Sequence, residues 1–373
     1  MVRILSIIRR VINSISFLTF CIAFAFGLLA VLLVAFNPDF LDDYPSLAIS
    51  DVESIKFILS FTIGGIFTLT IFSYTMVMDV LNRSISNYSP RLIPLILREK
   101  HHQVILGVTS GTIVYCLVMA AFISSDNHDK FPSVAAPLAI LMGIISILLF
   151  IYFIHSVSQT IHVNYVLRKS FLNTKNRMQH LIDLPFEKIK ELRPESFWKE
   201  HICFPQCGYL NSIRTQKLIS LSEEHKIELK LLKNMGSFVL EGEPVLAVSR
   251  EVGDKIRKEL MRCISIDRAE AIEVIEVGFK HLVEVGVKAS SPAVNDPGTA
   301  LMSIDYLTQL LIHRKNIEEF TAMKSDKGGI LFFSLVPIET LKELCFAEME
   351  HFMGEDPILH RKLAWSKKIL KNL

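Results

Sequence analysis

A membrane α-helical domain of four transmembrane helices, joined to a cytoplasmic α+β domain that contains a small antiparallel β unit, is the fold class this sequence predicts. Four apolar stretches of membrane-spanning length precede Tyr165, the text then turns mixed polar and apolar, and a period of two sets in after Gly208. Half of the 373 residues are hydrophobic, yet 21% are charged, so the two kinds of residue must be segregated along the chain.

A helix rises about 1.5 Å per residue, so a hydrocarbon core of about 30 Å takes roughly 20 apolar residues to cross. Residues 17–36, 57–81, 104–124 and 134–160 meet that length. The first follows a basic front of Arg3, Arg9 and Arg10, as a signal peptide does. It runs full span length to Asn37-Pro38 without a small-residue cleavage site, so it reads as a retained span.

Loop charges orient the spans. Residues 37–54 carry Asp39, Asp42, Asp43, Asp51 and Glu53 with no Lys or Arg, whereas residues 82–103 carry Arg83, Arg91, Arg98 and Lys100. Cations stay inside, which predicts an inner-membrane protein with its N-terminus, second loop and C-terminal domain in the cytoplasm. The loop 125–133 is then external, with Lys130 a dissenting charge.

Within the spans the ionisable residues, Asp79 and His155, lie near the cytoplasmic ends, which argues against a proton-coupled transporter. Gly64-Gly65, Gly107-x-x-x-Gly111 and Ala135-Ala136-Pro137 allow close helix approach, expected within one chain more than between chains. His155, Gln159 and His162 fall at i, i+4 and i+7, on one helical face at the membrane exit. That face reads as solvated by headgroups, as the lining of a wet cavity, or as half of a metal site.

The polar half divides into a helical stalk and linker over 165–206, a small β-rich unit over 207–250 and an α-rich domain over 251–373, after the four-span domain 1–164. Pro185, Pro194 and Pro205 punctuate the linker. Ile227, Leu229 and Leu231 alternate with Glu228 and Lys230 as in a half-buried strand. Gly236 and Gly242 bracket another short strand and Pro244 opens a third, a rhythm that resembles a lipoyl-type barrel-sandwich without its carrier Lys. His201, Cys203 and Cys207 lack the spacing of a closed zinc site, so buried or partly buried thiols are expected there. Sparse cysteines predict a reduced, intracellular domain without disulfides.

In residues 278–300, Phe279, Leu282, Val283, Val285 and Gly286 make an apolar helix face that stops near Ser291-Pro292. A second helix starts after Asn295-Asp296-Pro297, where a carboxylate accepts from free amides and Pro has none to lose. The structural reading is an N-cap. The functional one is a small ligand or cation held at Ser291, Pro292, Asn295, Asp296, Pro297 and Thr299.

Ser291-Pro-Ala-Val-Asn-Asp-Pro-Gly-Thr-Ala300 resembles the hallmark motif of the bacterial predicted membrane proteins grouped as the domain-of-unknown-function 2254 family. The stretch from Tyr88 through Ser89, Pro90 and Arg91, with Gln103-x-x-Leu-Gly107, Tyr115 and Phe153-Ile-His155, matches other characteristic strings. Gly298 stands where a bulky apolar residue is usual and Ser290 where Leu is usual. The resemblance implies four spans and a cytoplasmic domain; it implies no activity.

The balance of 40 Lys and Arg against 38 Asp and Glu gives no reason to expect a nucleic-acid partner. No Gly-rich phosphate loop, Gly-x-Ser-x-Gly elbow or His-Glu-x-x-His is present, so a membrane-anchored enzyme is the least favoured of three function classes and no cofactor is expected. The favoured expectation is an oligomeric channel or conductance regulator in the lipid bilayer, a homo-oligomer gated by its cytoplasmic domain. The alternative is a non-conducting membrane sensor or scaffold that binds a cytoplasmic partner, small ligand or ion.

Overall fold

A computed structural model describes residues 15–36, 51–87, 100–123, 134–160, 162–268, 274–333 and 335–372. It divides into two compact units, residues 1–86 with 92–162, and residues 87–91 with 163–373.

The first unit consists of helices α1 (Ile15–Phe36), α2 (Val52–Asn87), α3 (Lys100–Ile123) and α4 (Ala135–Thr160). Each contains a stretch long and apolar enough to cross a membrane: Phe17–Phe36, Val52–Val80, His101–Ile123 and Ala135–Gln159. Hydrocarbon offers no hydrogen bonds, so backbone groups pair inside each helix and small hydroxyls do the same. Thr70, Ser73 and Thr112 donate to the carbonyls of Ile66, Leu69 and Val108 at 2.8, 2.9 and 2.9 Å.

Packing between these helices relies on small residues. A Cβ on Gly107 would stand 2.8 Å from Ile22 Cδ1, and one on Gly111 would stand 2.9 Å from Phe26 Cγ. The two glycines of α3 thus receive two side chains of α1, as the Gly-x-x-x-Gly spacing predicts for packing within one chain. Tyr115 donates to the Ala135 carbonyl at 3.1 Å, closing α3 on the small-residue start of α4. A Cβ on Gly64 or Gly65 of α2, by contrast, would meet no atom of a neighbouring element within 4 Å among the described residues. Large apolar side chains such as Phe20, Phe57, Phe61 and Leu148 cover the outer surface.

The second unit has a helical part and a sheet part. Its helices are α5 (Val163–Ile182), α6 (Thr215–His225), α7 (Asp254–Arg262), α8 (Ile275–Ser290), α9 (Pro297–Lys315), α10 (Ile338–Met353) and α11 (Pro357–Asn372). The hairpin α8–α9 is the centre against which α5, α10 and α11 pack. Phe279, Leu282, Val283 and Val285 are buried, as the apolar face of residues 278–286 predicts. The helical part of the stretch 165–206, read from sequence as stalk and linker, buries Val166, Leu167, Ser170, Thr174 and Met178 on α5. Gly278 accommodates this approach, since a Cβ there would fall 1.8 Å from Thr174 Oγ1.

Among the described residues nine short strands build two sheets: β1 (Glu187–Ile189), β2 (Glu200–Cys203), β3 (Gly208–Ile213), β4 (Glu228–Leu231), β5 (Phe238–Val239), β6 (Pro244–Val248), β7 (Ile264–Asp267), β8 (Ala322–Lys324) and β9 (Ile330–Phe332). The larger runs β1-β8-β9-β4-β6-β2 and the smaller β5-β3-β7. All pairs are antiparallel except β4 with β9, where Glu228 opposes Ile330 and Lys230 opposes Phe332.

The strands of residues 207–250 therefore pair two by two, β4 with β6 and β3 with β5, and are shared between the two sheets. β4 and β6 enter the large sheet beside strands from residues 200–203 and 330–332, while β3 and β5 join β7 in the small one. The reason is burial: Val245, Leu246, Ala247 and Val248 are fully covered, which asks for neighbours on both faces and both edges. A core of Leu210, Leu218, Leu229, Leu246, Leu260 and Leu331 joins the sheets to α6 and α7.

Candidate functional site

The motif of residues 291–299 is the connection between α8 and α9. Ser291 ends α8, its amide and hydroxyl donating to the Lys288 carbonyl at 3.2 and 2.6 Å. The chain then turns back, with the Asn295 amide on the Ser291 carbonyl and the Asp296 amide on the Ala289 carbonyl, each at 2.8 Å. Asn295 takes φ of 48°, a left-handed conformation that Asn tolerates better than most residues.

Asp296 is the N-cap of α9, with Pro297 at the first helical position. Its Oδ1 accepts from the Thr299 amide at 3.1 Å and its Oδ2 from the Thr299 hydroxyl at 2.5 Å. Both carboxylate oxygens serve the helix. Pro292 is exposed and Thr299 is buried. The arrangement explains the motif as a turn and cap without a ligand.

The other sequence-derived candidates lie apart. His155 and Gln159 on α4, and His162 beyond it, are exposed. The inward neighbour Ser156 makes the interhelical contact instead, its hydroxyl 2.6 Å from His101 Nε2 and 3.1 Å from His102 Nε2. Ser89, Pro90 and Arg91 lie outside the described residues. Cys203 and Cys207 are exposed, correcting the expectation of buried thiols. β2 is an edge strand of the large sheet whose alternation turns Ile202 inward and His201 and Cys203 outward. Cys263 and Cys345 are the buried thiols of this unit, and burial pushes Cys345 up to about 12.

A cleft of about 770 Å³ opens where α5, the start of α6, the β4–β5 loop, the start of α8 and the segment after β9 converge. That volume is in the range of small-molecule sites. Its apolar walls include Leu181, Ile213, Leu231, Met235 and Phe333, and its charged lining is Arg177, Arg214, Lys217, Lys233 and Glu276, with His180.

Each wall has a local cause. β3 ends at Ile213 and α6 begins at Thr215, with Arg214 as an N-cap residue whose side chain accepts nothing. The first helical bond there runs from the Leu218 amide to the Arg214 carbonyl at 2.9 Å, so the amides of Thr215, Gln216 and Lys217 precede it. Ser222 pins the helix to β9, accepting from the Ile330 amide at 2.8 Å. Glu276 lies in the first turn of α8. Burial pushes its carboxyl above the usual range, against the pull of its own amide and of Arg314 and Lys280. Arg314 is itself buried and donates to the Val336 carbonyl at 2.9 Å.

Sequence reasoning missed this cleft. A basic helix start directly after a strand, at Ile213-Arg214-Thr215-Gln216-Lys217, was the available signal. The motif and the cleft occupy opposite ends of the 16-residue helix α8, roughly 22 Å apart at the helical rise.

Residues 12–366 match the family described as predicted membrane protein (DUF2254). The chain belongs to that family. An uncharacterized protein of Mycobacterium tuberculosis strain H37Rv is 24% identical over 315 residues, 80% of this chain and 58% of the relative. An uncharacterized protein of Mycobacterium bovis gives the same 24% over 315 residues, with the same shares. The chain thus spans less than two thirds of the length of these relatives. No solved structure matches it.

The cap carries a quantitative expectation. Asp296→Ala should lower the stability of the second unit by about 0.5–2 kcal/mol, and Asp296→Asn or Asp296→Ser by much less, since each keeps a capping oxygen. Denaturant unfolding of the full chain followed by circular dichroism measures the difference. Equal losses for Ala and Asn would assign the negative charge a role that capping does not supply.

Proposed function

We propose that this chain, as a member of the DUF2254 family of predicted membrane proteins, senses a small ligand through the cleft of its C-terminal unit. The observation that carries the reading is the cleft itself: a small-molecule volume with an apolar wall, a charged end and a desolvated carboxyl. The C-terminal unit and the N-terminus lie in the cytoplasm of a bacterium in this reading. The acidic loop 37–54 and the basic loop 82–103 support that orientation, and four spans return the chain to the side it started from.

Conduction by several copies is a second reading. It is favoured by Gly64 and Gly65 of α2, where a Cβ would meet open space among the described residues and another helix could approach closely.

Orientation is read by an impermeant maleimide on intact spheroplasts: Ser46→Cys should label from outside and Ser89→Cys should not. Labelling of both from outside would reverse the assignment. Sensing is read by thermal unfolding of the full chain in detergent with a dialysable small-molecule extract of bacterial cells. Binding at a hundredfold excess over Kd stabilises by about 2.7 kcal/mol, so the midpoint should rise by several degrees. Ser220→Trp, which fills the cleft, should abolish the rise. An extract that leaves the wild-type midpoint unchanged would remove the sensing reading. Ion flux through proteoliposomes, lost on Gly64→Leu, would select conduction; proteoliposomes without flux would exclude it.

A further inference from the structure

The cleft has a charge imbalance that the chain as a whole lacks. Over the full sequence 40 Lys and Arg face 38 Asp and Glu, whereas the cleft sets Arg177, Arg214, Lys217 and Lys233 against Glu276 alone. Lys233 is engaged by Glu243. Arg214 and Lys217 are exposed at the cleft's edge, flanking the first turn of α6, an 11-residue helix. Its dipole and leading amides add positive potential to that of the two side chains.

Two features narrow the ligand beyond an anion. The wall of Leu181, Ile213, Leu231, Met235 and Phe333 offers apolar surface that a bare inorganic ion cannot cover. At the start of α8, Glu276 disfavours a second negative group nearby and pairs with a hydroxyl or amino group. Guanidinium, ammonium and helix amides approach from several directions, which suits the tetrahedrally disposed oxygens of a phosphate, three free in a monoester and two in a diester, better than the coplanar pair of a carboxylate.

We infer that the cleft binds a small organic phosphate. Its phosphate oxygens face Arg214, Lys217 and the first turn of α6, its apolar body lies on Ile213, Leu231 and Phe333, and a hydroxyl or amino group faces Glu276. The inference rests on the sensing reading above and adds the chemistry of the ligand. Two sources share that chemistry: a soluble phosphomonoester such as a nucleotide, and a phospholipid whose headgroup has a hydroxyl or amine.

The test uses the full chain in non-ionic detergent, with adenosine 5′-monophosphate, dihexanoyl phosphatidylglycerol and, as the phosphate-free control, adenosine. One of the two phosphates should raise the thermal midpoint, which identifies the source, and adenosine should not. Arg214→Gln combined with Lys217→Gln should weaken that binding by about tenfold or more, the loss of charge-assisted hydrogen bonds. The midpoint without probe should be unchanged, because both side chains are exposed, and Lys217→Arg should keep the affinity. No shift with either phosphate, an equal shift with adenosine, or equal affinity in the double variant would overturn the inference. An extract-induced shift that survives phosphatase and phosphodiesterase treatment, and persists in the double variant but not in Ser220→Trp, overturns the phosphate assignment and leaves sensing standing. A shift unaffected by Ser220→Trp overturns both.

Discussion

The close approach of α8 and α9 is the contact on which the rest of the C-terminal unit depends. A Cβ on Gly286 would stand 2.8 Å from Ser303 Oγ, and Ser303 donates to the Leu282 carbonyl, so the two helices meet nearly backbone to backbone. At such a separation Leu282, Ala289, Ala300 and Ile304 are buried. α5 seats Thr174 over Gly278, and α10 brings Met349 against Gly286. Because α8 is fixed along its length in this way, its first turn, with Glu276, is held where the cleft requires it.

The membrane unit uses small residues for a different reason. In water, burying Phe279 or Leu282 removes apolar surface from solvent and supplies much of the driving force for helix pairing. Between lipid tails no such gain exists, and contact area together with internal hydrogen bonds decides which helices associate. Ile22 over Gly107 and Phe26 over Gly111 supply the contact, while Thr112 and Ser146, 3.1 Å apart across α3 and α4, supply a hydrogen bond.

Legibility in the sequence followed the range of the interactions. Spans, the apolar face of α8 and the Asp296 cap rest on residues within a few positions of each other, and periodicity and capping chemistry expose them directly. The sheets were not legible because partners are distant: Lys230 faces Phe332, and Glu187 faces Lys324. Alternation marks Ile227, Leu229 and Leu231 as a strand but says nothing about which strand lies beside it. The cleft is harder still. Arg177, Arg214, Lys233, Glu276 and Phe333 come from five separate segments, and each alone reads as an ordinary surface or flanking residue.

That strand order has a consequence for the order of folding during synthesis. β4 can pair with β6 as soon as the short chain between them is made, but its other edge waits for β9, about a hundred residues later, and β1 waits longer still for β8. Closing loops of that length costs entropy that only late contacts repay, so the large sheet is assembled only after β9 has been made. Phe333, immediately after β9, completes the cleft wall. A nascent chain halted before β9 would have Arg214, Lys217 and Glu276 and no finished cleft. The cleft is thereby tied to a completed sheet.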